Sequence, residues 1–231
     1  MDVFVIPVGP DRYELYCDQP FARERTATPV RGIIGRLRQR IEDWLRTAEE
    51  WDPSSSPGST GGRLARLHDR VMAWVAERVT EQRLLWNLRR ETAVTAAHPD
   101  YLSADQAIAT IRDALRKDLE RHQYWVWVDG VLFVVTFVAL GPLFLLIPGV
   151  ANLPALYFGF RTVGHWYSRR GARHGLEWVQ WVPQPSPVLS ELRDVVRLTP
   201  EVRERRIEDI AARLHLERFA SFYDRISKGC L

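Results

Sequence analysis

Cysteine and lysine are nearly absent from this chain of 231 residues. Its two cysteines, Cys17 and Cys230, lie near opposite ends with no companion at metal-binding or redox spacing. That excludes a disulfide framework and a thiolate metal site, and both are expected as free thiols. The six histidines, His68, His98, His122, His165, His174 and His215, form no His-Glu-x-x-His or other paired-ligand spacing, so no metal is expected. Of the 32 basic residues only Lys117 and Lys228 are lysine, and the net charge is +3. A balance that small implies no nucleic-acid partner. The cluster at Gly58, Gly61 and Gly62 lacks the Gly-Lys-Ser/Thr ending and the preceding strand of a phosphate loop. Nucleophile elbow, dinucleotide fingerprint and paired catalytic carboxylates are missing too, so the expectation is no enzyme, no catalytic residue and no cofactor. Arg12 is the first basic residue, which argues against a secretory signal or an arginine-rich transit peptide at this end.

One further absence is local. Residues 130–160, GVLFVVTFVALGPLFLLIPGVANLPALYFGF, hold no charged side chain in 31 positions. Around this run the chain is rich in arginine and glutamate, and its periodicity is legible. Residues 1–29 read as two extended pieces around a Gly9-Pro10-Asp11 turn, a small β-hairpin in which Pro7 suits an edge strand. Such a hairpin is marginal in water and needs helices to pack against. Residues 30–51 carry Ile33, Ile34, Leu37, Ile41 and Trp44 at helical spacing. Residues 52–62, DPSSSPGSTGG, break that period and read as a flexible linker. A helical region over 63–123 comes next, its first helix running to about Val94 and broken at His98-Pro99. Ser103 and Gln106 then make a capping box for a helix with Ile108, Ile111, Leu115 and Leu119 on one face. Nothing stops that helix before the apolar run. Residues 124–168 form the run with its aromatic flanks. In the C-terminal helical region, 169–231, "VPQPSP" at 182–187 reads as a rigid break. Thr199-Pro200-Glu201 reads as a capped helix start, and two short helices pack around His215.

Membrane insertion suits the run better than a soluble core. Between Val131 and Ile147, thirteen of seventeen residues are Val, Leu, Ile or Phe, favouring the bilayer by about 4–8 kcal/mol in sum. A hydrocarbon core of about 30 Å needs about 20 residues per crossing. Pro142, Pro148, Gly149, Asn152 and Pro154 oppose one straight helix, and two full crossings need more apolar residues than are present. Four basic residues lie within 20 positions on either side (Arg112, Arg116, Lys117 and Arg121; Arg161, Arg169, Arg170 and Arg173). Equal flanks fit a short or re-entrant hairpin with both feet on one face, with Tyr124, Trp125, Trp127, Tyr157, Trp166 and Tyr167 as interfacial anchors. The expected fold is therefore mainly α: long amphipathic helices around a central hydrophobic helical hairpin, with a small N-terminal β-hairpin. Its tip needs protein cover, so a homo-oligomer or a membrane-protein partner is expected beside the lipid bilayer. Asp129 and Arg161 bracket the run and His165 lies one turn beyond, so the three are expected to meet at the hairpin base. Asp129, Asn152, Arg161 and His165 are the candidate ion or proton groups, because polar groups at membrane depth are usually functional. Arg169, Arg170, Arg173 and His174 form the densest cationic cluster and are candidates for lipid headgroups.

The stretch PGVANLPALYFGFRTVGHWYSRRGARHG, residues 148–175, resembles the mitochondrial K+-H+ exchange-related proteins in their prokaryotic form. The resemblance is carried by Pro148, Gly149, Asn152, Tyr157, Arg161, Gly164, His165, Arg169 and Gly171, with MDVFVIPVG and IEDIAARLHL adding to it. It implies a part in potassium/proton exchange, as carrier or accessory factor, in a prokaryotic cytoplasmic membrane or a mitochondrial inner membrane. The other reading from the residues is a membrane-anchored interaction protein without transport activity.

Overall fold

The computed structural model describes residues 1–9, 11–18, 82–144, 153–195 and 198–228. By internal contacts the chain divides into two units, Met1–Gln19 with Leu84–Leu231, and Pro20–Arg83. The strands and helices named below all belong to the first unit. The helix expected at 30–51 and the linker at 52–62 lie outside the described residues, as do Pro148, Gly149 and Asn152.

The fold is mostly helical, with a small sheet that includes the expected N-terminal strand pair. Strands β1 (Asp2–Pro7) and β2 (Tyr13–Tyr16) are antiparallel, with Phe4 opposite Tyr16 and Pro7 opposite Tyr13. The pair does not stand alone. Strands β3 (Ala93–Pro99) and β4 (Gln180–Ser186) complete a four-stranded sheet in the order β2-β1-β3-β4, and β1, β3 and β4 are mutually parallel. This corrects two expectations. Helix gives way after residue 88, and Val94 lies in a strand rather than at a helix end. The proline-rich stretch 182–187 is mostly strand, not a break.

The prolines explain themselves once the register is known. In a parallel strand alternate residues point their N–H groups to opposite sides. The Gln180 N–H reaches the Thr92 carbonyl at 2.9 Å, so residues 182, 184 and 186 also face β3. Pro183 and Pro185 therefore place their missing N–H groups on the outer edge, where no ladder bond is lost. They also blunt that edge against pairing with another strand. Pro7 is not on an edge strand, since β1 lies between β2 and β3. It is tolerated because the β1–β3 ladder spans only Asp2 to Phe4.

Alternation along β1 splits the core. Phe4 and Ile6 face a cluster with Leu189, Leu192, Ile207, Ile210, Phe219 and Tyr223. The two long helices between β3 and β4 are α1 (Ala104–Phe144) and α2 (Leu153–Glu177). The cluster itself comes from the short helices α3 (Pro187–Ser190) and α4 (Leu192–Val195), and from α5 (Pro200–Leu214) and α6 (Phe219–Lys228). Thr199 occupies the expected cap position of α5 with extended backbone, but its hydroxyl makes no capping bond. His215 closes α5 in the left-handed region, φ 55, a residue type enriched there after glycine. Val3, Val5, Val94 and Ala96 face the other way and are fully buried or nearly so. On that side Trp181 donates its indole N–H to the Gly175 carbonyl at 2.9 Å, beside Leu88 and Leu115.

The capping box of α1 is present: Gln106 N–H donates to Ser103 Oγ at 3.2 Å and Ser103 N–H to Gln106 Oε1 at 2.9 Å. As expected, α1 runs unbroken into the apolar run, about 60 Å in all. It passes antiparallel to α2, with His122 against His165, Asp129 against Arg161 and Phe133 against Gly159. Its base packs on the sheet through Ala107, Ile111 and Leu115, all fully buried. Farther along, the burial stops. Val131, Val134, Val135, Phe137 and Val138 are each more than half exposed.

Candidate functional site

Where α1 leaves the domain, its buried stripe changes character. Ala107, Ile111 and Leu115 are followed, at steps of seven, by His122 and Asp129 on the same side. The facing stripe of α2 carries Arg161, His165 and Ser168. Polar groups thus replace apolar ones just below the exposed apolar end, on helices that bury them against each other.

Asp129 is 1% exposed. Its Oδ2 lies 3.2 Å from Arg161 Nε and 3.4 Å from His165 Nε2. His165 Nδ1 is in turn 2.8 Å from His122 Nδ1. The four side chains form a continuous array, Arg161–Asp129–His165–His122, crossing between the helices. Trp125 closes one side, its ring stacked on His165 at 6.3 Å between centroids. The Arg161 guanidinium lies over Trp125 and Tyr157, 5.3 and 5.6 Å from their ring centres, and donates from Nη1 to Tyr157 Oη at 3.3 Å. A desolvated carboxylate requires a cation or a proton: burial pushes the Asp129 carboxyl up, and the charge of Arg161 pulls it back part of the way.

The histidine pair constrains protons. A short Nδ1 to Nδ1 contact holds one hydrogen, not two. Burial first, then the nearby His165 and the charge of Arg121, push His122 down to about 3. With Asp129 ionised, His165 Nε2–H faces the carboxylate and His122 Nδ1–H donates to His165 Nδ1. Both rings are then neutral; the His122 proton has its acceptor, while the His165 Nε2 proton stands in a 3.4 Å ion-pair contact with Asp129 that is not a formed hydrogen bond.

Below the array the helices are locked to the domain. Trp86, 2% exposed, donates its indole N–H to Ser168 Oγ at 2.9 Å and to the Gly164 carbonyl at 3.3 Å. A Cβ on Gly171 would sit 1.6 Å from the Leu85 carbonyl oxygen, so only glycine lets α2 approach that backbone.

Asp129, Arg161 and His165 meet as the bracketing of the run implies. Tyr157 joins them through Arg161, while Gly164 and Gly171 contact the domain beneath. Arg169 is half-buried. Arg170 stacks on Trp166, Arg173 pairs with Glu177 at 2.9 Å, and His174 turns inward to the Glu91 carbonyl at 3.0 Å. Among the aromatic flanks Tyr124, Trp127, Tyr157 and Trp166 are exposed. Tyr167 is not an anchor: it is buried against Trp86. Sequence reasoning missed His122. The signal was present, since seven residues before Asp129 is two helical turns on the same face.

Strands β1 (from Val3), β2 and β3 and both long helices fall within a match to one protein family. That family is described as mitochondrial K+-H+ exchange-related, and it matches residues 3–179. The chain belongs to this family. The match ends just before β4, so α3 to α6 lie beyond the part of the chain it covers. Among curated proteins and among solved structures nothing matches. The family's name relates the chain to potassium/proton exchange, and its matched part contains every residue of the array.

Proposed function

We propose that this protein takes part in monovalent-cation/proton exchange as a membrane-inserted component, carrier subunit or accessory factor. In this reading residues 130–160 enter the bilayer as a hairpin and Asp129, Arg161 and His165 stand at its foot. The observation that carries it is the abrupt change along α1. Its base is buried in a folded domain, while Val131 to Val138 expose seven large apolar side chains at 37–69% each. At about 0.3–0.6 kcal/mol per residue, those seven favour hydrocarbon by about 2–4 kcal/mol. Family membership supports the ion chemistry.

The described legs are unequal. Gly130 to Phe144 rises about 22 Å and Leu153 to Phe160 about 12 Å, against about 30 Å for a full crossing. A re-entrant hairpin whose tip is covered by a second copy or a membrane partner fits these lengths. Thr136 and Thr162 return their hydroxyls to the carbonyls of Leu132 and Phe158, so neither brings an unsatisfied donor into the apolar layer. With the boundary at Phe160, Arg173 and His174 lie about 20 Å below it, deeper than a headgroup layer of about 5–8 Å. Arg161 is the cation placed to meet headgroups. The bilayer in question is a prokaryotic cytoplasmic membrane or a mitochondrial inner membrane.

The test is reconstitution of the full chain into liposomes with an outward potassium gradient and a trapped pH dye. Proton movement dependent on potassium and lost in Asp129→Asn supports exchange. Insertion without flux above empty liposomes supports the second reading, an anchor for an interaction domain, which the shortness of the hairpin favours. Recovery of the chain in the supernatant after membranes are pelleted contradicts both.

A further inference from the structure

The array has a property that an ion pair alone does not need. Starting from ionised Asp129, the hydrogens run from His122 Nδ1 to His165 Nδ1 and from His165 Nε2 to Asp129. Suppose a proton binds at His122 Nε2. The His122 Nδ1 proton passes to His165 Nδ1, and the His165 Nε2 proton passes to Asp129 Oδ2. Each ring gains one proton and gives one up, so both are neutral before and after, and Asp129 ends as the neutral acid. His165 Nδ1–H now donates back to His122 Nδ1, across the same 2.8 Å. The Nδ1–Nδ1 hydrogen bond reverses direction with its heavy atoms in place, and the second transfer requires the 3.4 Å contact between His165 Nε2 and Asp129 Oδ2 to close to hydrogen-bond distance.

The geometry points to His122 and His165 as a two-ring proton relay that connects the domain side of α1 to Asp129 at the foot of the apolar segment. This deepens the exchange reading and rests on it for its purpose, although the relay itself is a property of the four side chains. His122 stands two helical turns toward the domain from Asp129, at 7% exposed. Arg161 makes the cycle two-state. Burial raises the proton affinity of Asp129 and the guanidinium pulls against it, and when the carboxylate takes a proton that attraction is lost. The Tyr157 hydroxyl and the Trp125 face, already in contact with Arg161, remain to receive its charge. Proton arrival and release of Arg161 are thereby one event. Arg121 on α1 is a charged group outside the array that acts on His122. Burial first, then His165 and Arg121, oppose a second proton on His122, which keeps the pair at one shared hydrogen.

Nitrogen NMR of the full chain in detergent micelles, labelled on histidine, tests this without any transport. The expected result is scalar coupling between the two Nδ1 atoms at neutral pH, with His122 in the Nδ1–H form. On acidification His122 stays neutral but switches to the Nε2–H form, and in Asp129→Asn the switch is lost. The titration of the unmodified chain suffices if that variant does not fold. A His122 that keeps one tautomer until it becomes doubly protonated overturns the relay, as does absence of Nδ1 coupling. A tautomer switch in a protein that moves no potassium leaves the relay standing and removes the exchange reading.

Discussion

Replacing Arg161 by Met should destabilise this protein more than replacing Asp129 by Asn, although both break the same 3.2 Å pair. The asymmetry comes from burial. The Asp129 side chain is 1% exposed and that of Arg161 is 25% exposed. Arg161→Met strands a carboxylate that, among the described residues, has only His165 left within ion-pair reach. Removing one partner of a buried pair costs about 3–5 kcal/mol, and the low end applies here because His165 remains. Asp129→Asn leaves a guanidinium with water on one side, a tyrosine hydroxyl and two aromatic faces. Its loss is that of a charge-assisted contact, about 1–2 kcal/mol. The double variant should cost less than the sum of the two, since no buried charge is left alone. Denaturant unfolding of the full chain in detergent, followed by circular dichroism, gives all three values. At pH 4 the Arg161→Met deficit should shrink, because a protonated carboxylate needs no cation. An Asp129→Asn cost equal to that of Arg161→Met would refute the asymmetry. So would an Arg161→Met change of less than about 0.5 kcal/mol, the range of an ordinary surface substitution.

Asp118 is pushed up to about 6 by burial and then by Glu14, against the pull of Arg121. The folded state therefore holds its proton more tightly than the unfolded one, and stability falls as pH rises from about 4 to about 6. Asp118→Asn should flatten that part of the stability profile, measured by melting temperature at half-unit steps; an unchanged slope contradicts it. Gly171→Ala should cost at least about 1–3 kcal/mol, because its Cβ meets the Leu85 carbonyl oxygen and backbone must move; a melting temperature within one degree of the parent would show that α2 is not held there. Trp86→Phe should cost about 1 kcal/mol through loss of the indole bonds to Ser168 and Gly164, read by the same melts, with no loss contradicting the lock. Val138→Asp should reduce the membrane-bound fraction in flotation assays, since Val138 lies about 12 Å beyond Gly130 and aspartate near mid-bilayer costs about 2.5–3.5 kcal/mol. On a water-facing helix the same change would leave fractionation untouched.

What was legible in the sequence was local or carried by one helix period. The capping box at Ser103 and Gln106 reads directly, and so does the unbroken passage of α1 into the apolar run. The meeting of Asp129, Arg161 and His165 follows from charges placed symmetrically about the run, on the expectation that it folds back. Strands β3 and β4 were not legible, for a physical reason. Parallel strands pair with partners far along the chain, so TAVTAAHP shows no hairpin turn and little alternation of its own. The prolines of β4 read as a break because their harmlessness depends on which way residue 180 faces. His122 shows the same limit on a smaller scale. Its spacing from Asp129 is plain, but only the antiparallel register of α2 brings the His165 ring to it. Asn152 lies in the stretch 145–152, outside the described residues.

The central claim is that the upper part of α1 sits in hydrocarbon while its base stands in water. A nitroxide attached at Val138→Cys, and in a second sample at Asp113→Cys on the same helix, measures this directly in liposomes containing the full chain, with Cys17 and Cys230 replaced by alanine. Val138 is 69% exposed and the Asp113 side chain 65% exposed, so neither label meets the folded domain. The label at 138 should collide with oxygen and be shielded from a water-soluble nickel complex, while the label at 113 should do the reverse. Equal access of nickel to both positions would contradict the claim.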